Sequence, residues 1–125
     1  MARIFVLFGS INAFLAVSLG AFGAHGLSGR LAPDLMSVWQ TGATYHLVHA
    51  LGLLLVGVLL HQHDEAFYIR WAGWLLLVGI ILFSGSLYLL ALTDVRTFGV
   101  ITPIGGVSLL GGWAALAAAT LKAKY

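Results

Sequence analysis

Charged residues are scarce in this sequence, and their scarcity excludes a soluble protein. Six basic and four acidic residues make up 8% of the 125, whereas 61% are hydrophobic and the mean hydropathy is +1.02. A soluble domain carries charge on roughly a quarter of its residues. We therefore expect an integral membrane protein, with residues 1–125 forming a single transmembrane domain.

Cysteine is absent, which excludes disulfides, thiolate metal sites and thiol catalysis. The basic residues are scattered and the formal net charge is only +2, so no basic run is available to bind nucleic acid. The sequence also shows no grouping of nucleophile, base and acid and no phosphate-binding glycine loop. These absences favour a protein that is not an enzyme, with no cofactor firmly implied.

Long apolar stretches are what the sequence does contain. A hydrocarbon core about 30 Å thick requires roughly 20 helical residues. Four stretches meet this requirement without an internal charge, at residues 4–24, 43–60, 71–92 and 103–121. The sequence therefore predicts an all-α, integral membrane four-helix bundle. A cleaved signal peptide is the alternative for the first stretch, but typical signal peptides have apolar runs of only about 7–15 residues.

The distribution of basic residues predicts the orientation of the spans. With an even number of spans, both termini lie on one side. Four basic residues share that side and two lie opposite: Arg3, Arg70, Lys122 and Lys124 against Arg30 and Arg96. The positive-inside rule then places both termini in the cytoplasm. Trp71 and Trp74, beside Arg70, are typical of an interfacial anchor on the same face.

Three connections carry predictions of their own. Pro33 and Asp34 can open a short amphipathic helix between the first two spans, lying on the membrane surface; a plain loop is the alternative. The segment HQHDE at residues 61–65 reads as a solvated turn. Thr102 and Pro103 fit an N-cap and a first helical position, which predicts non-helical backbone at residues 98–101, folded against the other helices.

Small residues recur along the first and fourth spans at alternating steps of three and four. Helices in lipid rely on such residues for close approach, and this period is that of a left-handed packing seam. We therefore expect both spans to lie on packed seams, with packing against each other as one arrangement. The residues are Gly9, Ala13, Ala16, Gly20 and Gly23 in the first span, and Gly105, Ser108, Gly112, Ala115 and Ala119 in the fourth.

Polar side chains from all four spans are expected to gather near the non-cytoplasmic interface. The predicted cluster is His25, Tyr45, His46, His49, Ser84, Ser86, Tyr88 and Thr102. Asn12 is expected nearer the membrane centre, where its amide needs a partner on a neighbouring helix. Two interpretations of the histidines stay open: interhelical hydrogen bonding, and ligation of a metal or a haem iron.

Four stretches of this chain resemble the domain of unknown function 423 family: LGAFGAHGL (19–27), WQTGATYHLVHAL (39–51), LFSGSLYLLAL (82–92) and ITPIGGVSLLGGW (101–113). The resemblance implies a small four-helix protein of the bacterial inner membrane, similar to a eukaryotic transmembrane family, and supplies no activity. It also implies glutamine where this chain has His46. Any histidine pair shared across the family would then be His25 with His49.

Three functions follow as hypotheses. The first is a non-enzymatic structural or accessory subunit that packs, within the lipid bilayer, in a homo-oligomer or a larger membrane complex. The second is a redox or metal-, haem- or quinone-binding module that uses His25 and His49. The third is a small-solute transporter, which the lack of charge within the spans disfavours.

Overall fold

The computed structural model describes residues 1–63 and 67–122, and these residues contain four α-helices and no strand. The helices are α1 (Ala2–His25), α2 (Pro33–Gln62), α3 (Phe67–Thr93) and α4 (Phe98–Lys122). Each is long and apolar enough to cross a membrane. This confirms the predicted all-α membrane fold with four spans. In the predicted turn at 61–65, residues 61 and 62 belong instead to α2, and residues 64 and 65 lie outside the described ranges.

Helices that follow one another in the chain pack against one another in antiparallel pairs. The central pair is α2 and α3, with α1 packed on α2 and α4 packed on α3. The core between them is built mainly by large apolar side chains of the central pair. Its fully buried members include Phe5, Leu53, Val56, Ile69 and Leu76.

Each small-residue seam faces a central helix, so the two seams do not pack on each other. A Cβ atom on Gly9 would lie 2.9 Å from the backbone nitrogen of Leu54 in α2. Gly105 lies directly against the backbone of Phe83 in α3, leaving no room for a side chain. Elsewhere along the two seams, Gly23, Ala16, Gly112 and Ala119 are buried, and Ala13, Gly20, Ser108 and Ala115 are half-buried.

The segment predicted to lie on the membrane surface is instead the first part of α2. Pro33 does open a helix, as expected, but that helix runs without interruption to Gln62. Its apolar residues pack on protein: Leu35 and Trp39 are buried, and the indole N–H of Trp39 donates to the carbonyl of Leu19, at 2.9 Å. The amphipathic pattern therefore reflects contact with protein rather than with the bilayer surface.

The predicted start of the fourth helix at Pro103 is wrong, because α4 begins at Phe98 and residues 98–101 are helical. A proline in the second turn removes one backbone donor and leaves the first turn intact. That first turn is tightened by bonds from each amide to the carbonyl three residues earlier, such as Gly99 to Arg96 at 3.0 Å. Thr102 is consequently not an N-cap, and its hydroxyl points to α3.

Candidate functional site

Two buried histidines lie near the middle of α2. His46 is 13 residues after Pro33, and His49 is 13 residues before Gln62, so each lies about 20 Å from one end of the helix. Both side chains are only 5% exposed. The sequence placed them at the start of the second helix, whereas α2 begins ten residues before the predicted span and has them at its middle.

His46 joins three helices through hydrogen bonds at both ring nitrogens. Its Nε2 lies 2.9 Å from Oδ1 of Asn12 in α1, and its Nδ1 lies 3.0 Å from the hydroxyl of Tyr88 in α3. The Asn12 amide nitrogen donates to the carbonyl of Phe8, so its oxygen is the end that faces His46. In the neutral ring, Nε2 therefore carries the proton and donates to Asn12, while Nδ1 accepts from Tyr88. Asn12 thus has the partner on another helix that the sequence predicted.

His49 has the opposite tautomer. Its Nδ1 lies 2.7 Å from the backbone carbonyl of Tyr45, which can only accept, so Nδ1 carries the proton. The indole nitrogen of Trp113 in α4 can only donate, and it lies 3.0 Å from Nε2. Trp113 was not among the predicted site residues, and nothing in the sequence indicates a pairing across 64 positions.

These bonds bear directly on the metal hypothesis. The one lone-pair nitrogen of each imidazole already accepts a hydrogen bond, so a metal would have to displace Tyr88 from His46 or Trp113 from His49. Within the described part of the chain, no three histidine or acidic side chains form a group suited to a metal ion.

His25 does not join the other histidines. It is exposed at the end of α1, where Gly23 packs against Trp39. Trp39 precedes His49 by ten residues, which is about 15 Å along α2. A metal ion bound by both His25 and His49 would require imidazoles within a few ångströms of each other. The structure therefore does not form the predicted histidine pair.

The predicted hydroxyl residues tie α3 to both of its neighbours. Ser84 donates to the carbonyl of Gly42 in α2, at 2.8 Å. Ser86 donates to the carbonyl of Phe83, so its oxygen accepts from Thr102 in α4, at 2.6 Å. No buried side-chain nitrogen or oxygen in the described ranges lacks a partner. The predicted cluster is thus joined by interhelical hydrogen bonds, except for His25 and the side chain of Tyr45.

The glycine motif at residues 20–26 makes room for an aromatic group. A side chain on Gly23 would collide with the indole of Trp39. That indole packs on Tyr88, with ring centroids 4.7 Å apart, and meets Phe22 edge to face. Because Gly23 has no side chain, the indole of Trp39 can pack against α1. The same indole also packs on the tyrosine that bonds His46.

The side chain of Tyr45 lies outside the hydrogen-bonded network, on the wall of an open apolar groove of about 590 Å³ between α2, α3 and α4. Its ring stacks on His49 with planes 10° apart and is 45% exposed. Phe83, Pro103 and Trp113 also line the groove. Their apolar surfaces suit a lipid-soluble molecule rather than a polar solute.

Comparison with known proteins gives a consistent assignment. Residues 19–106 match a family described as "Protein of unknown function (DUF423)". A UPF0382 membrane protein of Staphylococcus epidermidis is 52% identical over 96% of this chain and 97% of its own length. The UPF0382 membrane protein YwdK of Bacillus subtilis is 47% identical over 96% of this chain and 98% of its own. No solved structure matches significantly. The chain therefore belongs to the DUF423 family, and its relatives are UPF0382 membrane proteins.

Proposed function

We propose that this protein is a non-enzymatic packing subunit of the bacterial inner (cytoplasmic) membrane, with both termini in the cytoplasm. In this proposal it assembles through α4, either with a second copy or with another membrane protein. One observation carries the proposal: the C-terminal half of α4 has small residues on two faces, and α3 covers only one of them.

Seven of the nine residues from 111 to 119 are glycine or alanine. On one face, Gly112 and Ala119 are buried against α3. On another face, Ala114 and Ala117 are exposed. Lipid tails pack equally well on larger apolar side chains, whereas small residues allow a second helix backbone to approach closely. The exposed alanines therefore favour a helix, rather than lipid alone, as their neighbour.

The interior bonds support a structural role. Each ring nitrogen of His46 and His49 is engaged, and the partners include groups on all three other helices. Hydrogen bonds of this kind fix the relative rotation of transmembrane helices. A protein built to present one packing face benefits from such fixed rotations.

Because the chain has no cysteine, single-cysteine variants test the proposal directly. Ala117→Cys should give a disulfide-linked homodimer on mild oxidation in native membranes, or the protein should migrate in a larger particle on a native gel. Ile81→Cys, on α3 and 60% exposed, is the matched control and should give neither a dimer nor a shift. Ala117→Phe should disrupt the assembly. Wild-type protein that migrates only as a monomer in mild extracts would refute the proposed assembly. Reporter fusions showing the termini on opposite sides of the membrane would refute the proposed orientation.

The groove beside Tyr45 supports a second candidate, a module that binds a lipid-soluble ring compound such as a quinone. The Tyr45 hydroxyl makes no hydrogen bond within the described chain, and aromatic rings of Phe83 and Trp113 line the same groove. A quinone carbonyl could accept from that hydroxyl. Extraction of purified protein with organic solvent should then release a compound absorbing in the near ultraviolet. Tyr45→Phe should lose it, and an extract without such a compound would remove this candidate.

A further inference from the structure

A second groove, of about 750 Å³, lies between the start of α1 and the end of α2. Gly57 forms part of its floor, where Val6 of α1 packs into the space that a Cβ atom on Gly57 would occupy. The exposed side chains of Leu7 and Val58 continue its apolar wall. At the helix ends, the groove is bordered by Arg3, His61 and Gln62.

The polar side chains at one end of this groove have no partner within the described chain. Neither Arg3 nor His61 makes an ion pair or a hydrogen bond through its side chain within the described chain, and the same holds for Gln62. No described carboxylate lines the groove. A guanidinium, an imidazole and an amide therefore face one opening with all of their donors available. Such a group of donors is complementary to an anion.

The depths of the two ends match the layers of a bilayer. With the middle of α2 placed at the bilayer centre, His61 lies about 20 Å from that centre, inside the head-group layer that begins at about 15 Å. Val58 lies about 16 Å from the centre on the same side, at the outer limit of the acyl chains, and Leu7, which follows the Val6 that packs on Gly57, lies closer to the centre. An amphiphile with a negative head and an apolar tail therefore fits the groove along its whole length.

We propose that this groove binds one anionic phospholipid, with its phosphate against Arg3 and His61 and an acyl chain along Val6, Leu7 and Val58. Arg3 supplies two parallel N–H donors suited to phosphate oxygens, and His61 adds a third donor. The site involves α1 and α2, so it is independent of the assembly proposed for α4.

Native mass spectrometry of the full-length protein tests the site, using phosphatidylglycerol and phosphatidylcholine with identical acyl chains. Wild-type protein should retain phosphatidylglycerol preferentially. Arg3→Gln should weaken phosphatidylglycerol binding about fivefold and leave phosphatidylcholine unchanged, as expected for loss of one cation near a phosphate. Arg3→Lys should keep most of the preference. Arg30→Gln is the matched control, because Arg30 is exposed at the opposite end of the molecule and should have no effect.

A groove-filling variant tests the apolar half of the site. Leu7→Trp should lower retention of both lipids, because the indole would occupy the acyl-chain channel. If circular dichroism shows that Arg3→Gln has lost helical structure, Leu7→Trp still tests the proposal. The proposal fails if wild-type protein shows no preference between the lipids. It also fails if Arg3→Gln and Arg30→Gln weaken binding equally, or if Leu7→Trp retains both lipids normally.

Discussion

The two central helices and the two outer helices are stabilised in different ways. Half of the apolar span of α2 and 44% of that of α3 is buried inside the molecule, against 17% for α1 and 22% for α4. The central pair carries most of the interhelical hydrogen-bonding groups, including His46, His49, Ser84 and Tyr88. The outer helices instead approach closely through glycine, at Gly9 and Gly105. Close backbone approach thus attaches the outer helices, and hydrogen bonds from the centre fix their rotation.

The largest expected effect comes from breaking the close approach of α4. Gly105→Ala places a Cβ against the backbone of Phe83, which cannot move aside as a side chain can. We expect a loss of about 3 kcal/mol or more in the free energy of unfolding, since overpacking against backbone forces the helices apart. Unfolding in detergent, followed by circular dichroism, measures this loss.

Gly85→Ala is the matched control, because a Cβ there meets nothing within 4 Å. Alanine is the better helix former by up to about 1 kcal/mol, so this variant should be neutral or slightly more stable. Equal effects of the two substitutions would show that α4 is not held by close backbone contact.

The second prediction tests the hydrogen bonds of the central pair. His46→Leu removes the group between Asn12 and Tyr88 and leaves both without that partner. We expect a loss of about 1–3 kcal/mol in the free energy of unfolding. His46→Gln should cost less than about 1 kcal/mol, because an amide also donates at one atom and accepts at another. Similar losses in the two variants would mean that His46 acts by shape rather than by hydrogen bonding.

The same comparison explains what the sequence could and could not predict. Hydropathy and the position of charges located all four spans, because both lipid and the packed interior of the bundle disfavour charge along the whole of a span. They misplaced the starts of α2 and α4, since hydropathy reports depth in the bilayer and a helix can continue beyond it. The helix start predicted from Pro103 was wrong for a related reason: proline is tolerated inside a membrane helix whose neighbours compensate for the lost hydrogen bond.

The site was predictable in its residue types but not in its pairings. Spacing placed His46 and His49 on one helix, yet gave no register between helices. Their partners Asn12 and Trp113 are separated from them by 34 and 64 positions. His25 was included because its helix ends near the predicted polar level. Because α2 is longer than predicted, His46 and His49 lie at its middle, away from the end of α1 that carries His25.

The third prediction sharpens the link between the central pair and α4. Trp113→Phe keeps an aromatic ring but removes the N–H donor that reaches Nε2 of His49. We expect a loss of about 1 kcal/mol, typical of one hydrogen bond between membrane helices. The ¹⁵N chemical shift of His49 Nε2 should move as its lone pair is freed. An unchanged shift would show that the indole does not donate to this nitrogen in the folded protein.

The smallest effect is expected at the ends of the helices, because an ion pair there is exposed to water rather than to lipid. Arg96, between α3 and α4, lies 3.4 Å from Asp34 at the start of α2 and 3.1 Å from Asp94. The side chains of Arg96 and Asp34 are 67% and 65% exposed, so water and salt screen their attraction. Arg96→Gln should therefore cost at most about 0.5 kcal/mol at low salt and nothing measurable in 1 M salt. A larger loss that persisted in high salt would mean that Arg96 holds the loop between the outer helix and the central pair by more than charge. Attachment of α4 would then not rest on the close contact at Gly105 alone.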